Sequence, residues 1–154
     1  LWNPPFPQFP DIFNKVERAH GITLIMDSMT YNRHDLIDTS TNETMLTGLS
    51  KIIMDGPMVR HTRGPAENYL DDIFRCYKQF DLDMVWIANH VGCKGGQAMN
   101  GILREKCREM KIPLLVLDYD LLDPRIVSHE GMLSQVDDFM ENVMKSKQPQ
   151  PMMQ

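Results

Sequence analysis

The chain has 154 residues, of which 42% are hydrophobic and 24% are charged, a size and composition typical of one globular domain with a buried core. Its net charge of -5 and its pI near 5.5, with no cluster of Lys and Arg, argue against a general nucleic-acid binder. No apolar stretch approaches the roughly 18 residues that span a bilayer. We therefore expect neither nucleic acid nor membrane among its partners.

The two ends of the chain differ from its middle. It starts at Leu1-Trp2 without an initiator Met and finishes in a polar stretch rich in Pro and Met, 148–154. We expect a piece of a longer polypeptide, with an ordered lobe over residues 1–147, a disordered tail, and a first strand that precedes Leu1. Three cysteines spaced seventeen and fourteen residues apart form no CxxC pair, which predicts a reducing, cytoplasmic compartment.

The first half of the chain switches between helical and strand periodicity. A helix is predicted from Asp11 to the His20-Gly21 end, where a C-terminal Gly is expected. A short buried strand is predicted from Ile22 to Met26. An amphipathic helix carries the apolar positions from Met45 to Ile53 and stops at Asp55-Gly56-Pro57.

The second half continues the alternation. Pro65 opens a helix, and the apolar run from Met84 to Asn89 suits a strand that is buried on both faces. A helix is predicted from about Gln97 to Met110, then a strand from Leu114 to Leu117 after Pro113. The last helix carries its apolar residues from Met132 to Val143.

This order of elements predicts an α/β fold in three layers, a parallel sheet with helices on both faces. The three strands should be adjacent and parallel. Because the carboxyl ends of parallel strands share one edge of the sheet, Cys93 and Asp118 should lie at the same edge, where α/β proteins place their chemistry.

Cys93 follows the strand that ends near Asn89 and precedes a helix, so the helix N-terminus favours its thiolate form. Three interpretations are open: a buried structural thiol, a nucleophile with His90 as its base, or a ligand of a metal or cluster. Cys76 and Cys107 fall at apolar helical positions and are predicted to be core residues. A four-thiolate site therefore cannot be built locally.

Two acidic residues, Asp118 and Asp120, follow the strand from Leu114 and are expected to face the same crevice as Cys93. The alternative is that they cap the loop or pair with Arg125. Gly92, Gly95 and Gly96 would let a backbone approach a phosphate or a cluster, although they form no dinucleotide fingerprint.

A small basic group, Arg60, His61 and Arg63, is predicted to lie in a solvated loop. Binding of an anionic coenzyme tail is the less favoured interpretation. The thirteen methionines mostly occupy helical core spacings and are interpreted as packing residues.

Six short motifs in order resemble the iron-sulfur subunits of the 2-hydroxyacyl-CoA dehydratases and benzoyl-CoA reductases. They are His90-Val-Gly-Cys-Lys94, Leu103-Arg104-Glu105, Ile112-Pro113, Asp118-Tyr-Asp120, Asp123-Pro-Arg125, and Gln135 through Phe139-Met-Glu141. Together they span about fifty residues, from His90 to Glu141, with a weaker likeness reaching back to Glu17. The resemblance implies the C-terminal part of a subunit built from flavodoxin-like or Rossmann-like lobes.

The resemblance also implies a function. A cysteine at the position of Cys93 would be one of three thiolates that hold a four-iron four-sulfur cluster, with the other two in the preceding part of the subunit. The expected reaction is radical (ketyl) chemistry on an acyl-CoA, either dehydration or ring reduction, with a homologous second subunit and an ATP-dependent iron-sulfur activator as partners. Candidate site residues are His90 and Asp118 for catalysis, Gly92, Cys93 and Lys94 for cofactor binding, and Cys93 as the metal ligand. A cysteine nucleophile and a non-catalytic ligand-binding module remain the alternatives.

Overall fold

The computed structural model describes residues 11–29 and 35–145. The Leu1-Trp2 start and the tail at 148–154 lie outside the described residues. The helices within them are α1 Ile12–His20, α2 Asn42–Asp55, α3 Pro57–Thr62, α4 Glu67–Gln79, α5 Lys94–Glu109 and α6 His129–Phe139, the last followed by a π-helical turn, Met140–Met144. The strands are β1 Val85–His90 and β2 Leu114–Tyr119.

β1 and β2 pair in parallel along their full length. Val85 lies opposite Leu114, and at the other end His90 lies opposite Tyr119. Both strands were predicted; β1 is shifted by one residue, and β2 extends two residues beyond Leu117. The apolar run of β1 is buried as expected, with only His90 partly exposed.

The two faces of the sheet are covered by different helices. On one face, Trp86 and Leu117 pack against residues of α1 and α6, including Val16 and Val136. The opposite face packs against α4 and α5, where the buried residues are Tyr69, Ile73, Val85, Ile87, Leu103, Cys107 and Ile112. The predicted three-layer α/β architecture is therefore confirmed for the described residues.

The predicted strand from Ile22 to Met26 is wrong. Residues 21–27 have no regular secondary structure, and the sheet formed by the described residues has two strands. Ile22 packs against the α1/α6 side of the core and Met26 lines a small cavity, but Leu24 and Ile25 between them are about half exposed. This segment therefore buries too little apolar surface to be a strand covered on both faces. A short apolar run in the sequence does not by itself distinguish a buried strand from other partly buried structure.

Several helix ends differ from the predictions for identifiable reasons. α1 ends as predicted, with Gly21 in the left-handed conformation at φ 66°. α2 begins at Asn42, before Met45, because Thr41 and Thr44 form a reciprocal capping box. α5 begins at Lys94, before Gln97, because Cys93 caps it. α3 was not predicted. No helix in the described ranges is long and apolar enough to cross a membrane.

Candidate functional site

The loop that carries Cys93 connects β1 to α5 and is tied to the sheet by its backbone. The N–H of Val91 donates to the carbonyl oxygen of Tyr119 at 2.9 Å, which continues the pairing of β1 with β2 past the last strand residue. The N–H of Cys93 donates to the carbonyl oxygen of His90 at 2.9 Å and closes a tight turn. Cys93 is thereby held at the carboxyl edge of the sheet, as predicted.

Cys93 is the N-cap of α5 and is only partly buried. Its Sγ accepts a hydrogen bond from the N–H of Gly96 at 3.4 Å, and its carbonyl oxygen accepts from the N–H of Gln97 at 2.9 Å. A side chain at Gly95 would meet no atom within 4 Å. The thiol therefore lies at the N-terminus of α5, next to open space on the side of Gly95.

Cys76 and Cys107 lie in the interior, with 4% and 2% of their surfaces exposed. Burial raises the pKa of Cys76 and raises that of Cys107 to about 11. The prediction that they are core residues is confirmed. Among the described residues, no group of three or more His, Cys, Asp and Glu side chains could hold a metal ion.

His90 stands beside Cys93, but its side chain faces other groups. Its Nδ1 is 3.4 Å from the carbonyl oxygen of Tyr119, and the centroids of the two rings are 5.8 Å apart. A Cβ added at Gly92 would lie 3.1 Å from His90 Nε2. Gly92 therefore lets the loop fold closely over the imidazole, and a larger residue there would displace the ring.

Asp118 lies on the same edge, one residue before the end of β2. Its carboxylate accepts a hydrogen bond from the side-chain amide of Asn89, its direct partner in the parallel register. Asn89 is almost fully buried, and its Oδ1 has no hydrogen-bond partner in the part of the chain that the structure describes. The sequence analysis overlooked Asn89, although a polar residue at the end of a buried strand is itself a signal.

Asp120 caps the loop that follows β2 through its carboxylate. Its Oδ1 accepts hydrogen bonds from the N–H groups of Leu122 and Asp123 at 2.8 and 3.0 Å. These bonds hold the pKa of the Asp120 carboxyl below its ordinary value. Asp123 in turn forms an ion pair with Arg125 at 2.7 Å. The loop-capping alternative is therefore confirmed for Asp120, whereas Arg125 pairs with Asp123.

Tyr119 was also overlooked. Its side chain is 1% exposed, and burial raises its pKa to about 12, with the negative charges of Cys93 and Asp120 adding to the effect. Tyr119 therefore remains a neutral phenol close to the Cys93 loop at physiological pH. The signal was its position, since it follows Asp118 directly within the Asp118-Tyr-Asp120 motif.

The basic group predicted to lie in a solvated loop has a different structure. Arg60 and His61 are in α3, and both bind the buried carboxylate of Asp72 in α4. Arg75 binds the same carboxylate at 2.6 Å, while Arg63 lies 4.0 Å from Asp55. The solvated-loop prediction is wrong because Arg60 and His61 lie in a helix and bind the buried carboxylate of Asp72 on the inner side of α4.

The site is thus that of an α/β protein with a half-buried cysteine, a histidine and a carboxylate at the carboxyl edge of parallel strands. A family profile described as 2-hydroxyglutaryl-CoA dehydratase, D-component, matches residues 2–143 of the chain. The chain belongs to this family and is a component of a dehydratase that acts on 2-hydroxyacyl-CoA, an enzyme that works with partner subunits. Searches of curated proteins and of solved structures found no match.

Proposed function

We propose that this chain forms one side of the active site of a 2-hydroxyacyl-CoA dehydratase and supplies Cys93 as one thiolate ligand of a four-iron four-sulfur cluster. The position of the Cys93 thiol carries the proposal: it is half-buried, caps α5 and lies at the edge of the sheet. Hydrogen bonds to sulfur, such as that from Gly96, tune the potential of a cluster. Because Cys76 and Cys107 are in the core, the other ligands would come from beyond the described residues.

The net reaction removes the hydroxyl group from C2 of the acyl chain and a proton from C3, which gives a 2-enoyl-CoA and water. The C3 proton of a thioester is hard to remove, and one electron added to the thioester carbonyl, giving a ketyl radical, makes that removal feasible. The electron returns at the end, so the dehydration is redox-neutral. When bound, the cluster supplies this one-electron chemistry, and an ATP-dependent iron-sulfur activator provides the low-potential electron.

The protein groups at this edge fit the proton steps. We assign the holding and movement of protons to the imidazole of His90 and the carboxylate of Asp118, which Asn89 holds in place. Gly92 and Lys94 are exposed and flank Cys93 on either side. We assign them to cofactor binding, in which the positive charge of Lys94 would stabilise a nearby anionic group. A homologous second subunit would complete the cleft, and the three free thiols agree with a cytoplasmic enzyme.

The alternative of a cysteine nucleophile has less support. A nucleophile needs its base within hydrogen-bond reach, but the Cys93 thiol accepts from the Gly96 N–H while the His90 ring lies against Tyr119. Ring reduction of a benzoyl-CoA type substrate would use the same edge. The two reactions are separated by their products, a 2-enoyl-CoA or a cyclic diene.

The test is an anaerobic assay of the protein together with its partner subunit and the activator, with ATP and either a 2-hydroxyacyl-CoA or benzoyl-CoA. We expect enoyl-CoA from the first substrate. Cys93→Ala should abolish turnover and lower the iron content. The matched control Cys107→Ala should keep both, since trimming a buried thiol costs about 1 kcal/mol. Full iron and full activity in the Cys93 variant would refute the ligand assignment.

A further inference from the structure

A cavity lies away from Cys93, between α3, α4 and the turn that contains Ser28. It encloses about 240 Å³, and its polar lining residues are Ser28, Asp55, Arg60, Asp72, Arg75 and Gln79. Ser28 and Cys76 also border a small cavity next to Met84 and Val85, at the beginning of β1. The larger cavity is therefore near the end of the sheet opposite to the Cys93 edge.

The charge in this cavity is set by the buried carboxylate of Asp72. Arg60 Nη1 lies 2.7 and 2.9 Å from its two oxygens, Arg75 Nη2 is 2.6 Å from one of them, and His61 Nε2 is 2.8 Å from the other. These four contacts occupy the acceptor positions of the carboxylate. Arg60 and Arg75 face the single carboxylate of Asp72. Asp55, which also lines the cavity, lies 4.0 Å from Arg63. Three guanidinium charges thus meet two carboxylate charges, which leaves one excess positive charge.

Donor groups remain available around the cavity. Arg60 bonds Asp72 through Nη1 alone, and within the described residues its Nε and Nη2 have no hydrogen-bond partner. The hydroxyl of Ser28 is likewise without a partner there, although the residue is only 8% exposed. A buried hydroxyl that bonds nothing is costly, so a partner for it is expected in the adjoining space.

Ser28 borders both cavities, and the larger one is better suited to hold a hydrogen-bond partner for its hydroxyl. The smaller one, about 30 Å³, holds about one water molecule and is otherwise lined by apolar side chains and the Cys76 thiol. The larger one combines the Ser28 hydroxyl with two guanidinium groups. At about 240 Å³ it is smaller than the roughly 300–1,000 Å³ typical of drug-sized ligands, which suits a small anionic group rather than a whole nucleotide.

We propose that this cavity binds a phosphate group, with Arg60, Arg75 and Ser28 as its donors. Guanidinium groups match the geometry and charge of phosphate oxygens, and a hydroxyl adds a further donor. The site is separate from the proposed dehydratase chemistry and does not depend on it. Its ligand is free inorganic phosphate or the phosphomonoester end of a larger molecule.

The experiment is a titration of the protein with inorganic phosphate at constant ionic strength, followed through the NMR signals of the arginine Nε–H groups, with chloride as the control anion. We expect saturable shifts with phosphate and none with chloride. Ser28→Ala should raise the dissociation constant several-fold without lowering stability, because it removes a hydroxyl that has no partner. Arg60→Gln should raise it further, whereas Arg108→Gln, an exposed change on α5, should leave it unchanged.

The sign of the bound charge is tested with Asp55→Asn. The carboxylate of Asp55 lines the cavity and is 56% exposed, so its removal should tighten phosphate binding or leave it unchanged. Weaker binding in Asp55→Asn, equal shifts with chloride, or unchanged affinity in Ser28→Ala would each overturn the proposal. Competition by coenzyme A but not by its 3′-dephospho form would identify a coenzyme phosphomonoester as the ligand, and competition by neither would identify free phosphate.

Discussion

The side-chain amide of Asn89 donates a hydrogen bond to the carboxylate of Asp118, and the two residues are direct partners in the parallel register of β1 and β2. Asn89 is buried and lies one position before His90, whereas Asp118 is exposed at the edge of the sheet. The bond thus joins the interior of the sheet to the edge that carries Cys93. It fixes the position of a carboxylate that we place in the proton chemistry.

This pair predicts the effect of adding a second negative charge at the end of β1. Asn89→Asp would bury a carboxylate opposite that of Asp118 and should lower stability by roughly 3 kcal/mol at pH 7, because position 89 is almost fully buried and the new charge has no cation beside it. Repulsion raises the pKa of one carboxyl, so the lost stability should return as the pH falls and that carboxyl is protonated. The double variant Asn89→Asp/Asp118→Asn restores an amide–carboxylate bond and should recover part of that stability at pH 7 in urea unfolding, since the buried carboxylate is then hydrogen-bonded. Equal stability of the single and double variants would contradict the pairing.

The three thiols should react at very different rates. Cys93 is half-buried at a helix N-terminus, whereas Cys76 and Cys107 are buried, and burial raises the pKa of Cys107 to about 11. In the folded protein, alkylation by iodoacetamide should modify Cys93 at least about tenfold faster than the other two, because the thiolate is the reactive form. Mass spectrometry of peptides measures the three rates. Comparable labelling of Cys107 in the native state would contradict the core assignment, and urea should equalise the rates.

The sequence predicts β1, β2 and the position of Cys93 at the carboxyl edge of the sheet, because those features depend on local patterns. A continuous apolar run before His90 and another after Pro113 identify β1 and β2. A thiol in the loop between a strand and the following helix then lies at the carboxyl edge of the sheet, because that is where the strand ends. The run from Ile22 to Met26 shows the limit. Whether such a segment pairs as a strand depends on which of its side chains the neighbouring helices cover. That coverage is set by the tertiary structure and cannot be predicted from the local sequence pattern.

The Asp72 cluster could not be predicted for the same reason. Arg60 and Asp72 are twelve positions apart on different helices, and their contact requires α3 to fold back on α4. What the sequence does contain is a carboxylate on the apolar side of α4, between Tyr69 and Cys76. A buried charge at such a position implies partners but does not name them.

Asp72 is predicted to be important for stability. Asp72→Asn keeps the shape of the side chain but leaves Arg60 and Arg75 facing a neutral group, and we expect a loss of about 3 kcal/mol in the free energy of unfolding. This value is the lower end for a broken buried pair, because both guanidinium groups are partly exposed. The matched control is Asp123→Asn, whose partner Arg125 is exposed and whose loss should change stability little. Equal losses in the two variants would contradict a special role for Asp72.

The Asp120 turn predicts a specific dependence on pH. The N–H groups of Leu122 and Asp123 hold the pKa of Asp120 below its ordinary value, so the ionised carboxylate is favoured in the folded state. A depressed pKa contributes stability that is present above the unfolded pKa and is lost as the pH falls through the folded pKa. Asp120→Asn should therefore be less stable than the parent at pH 7, and the gap should close as the pH falls below the ordinary Asp pKa of about 3.9 and through the lowered folded-state pKa of Asp120. Urea unfolding across this range measures the gap. The control Asp138→Asn changes an exposed carboxylate on α6 that accepts no hydrogen bond within the described residues, so it should show no such gap. A difference in stability between Asp120→Asn and the parent that stays constant with pH would show that the ionised carboxylate is not its source.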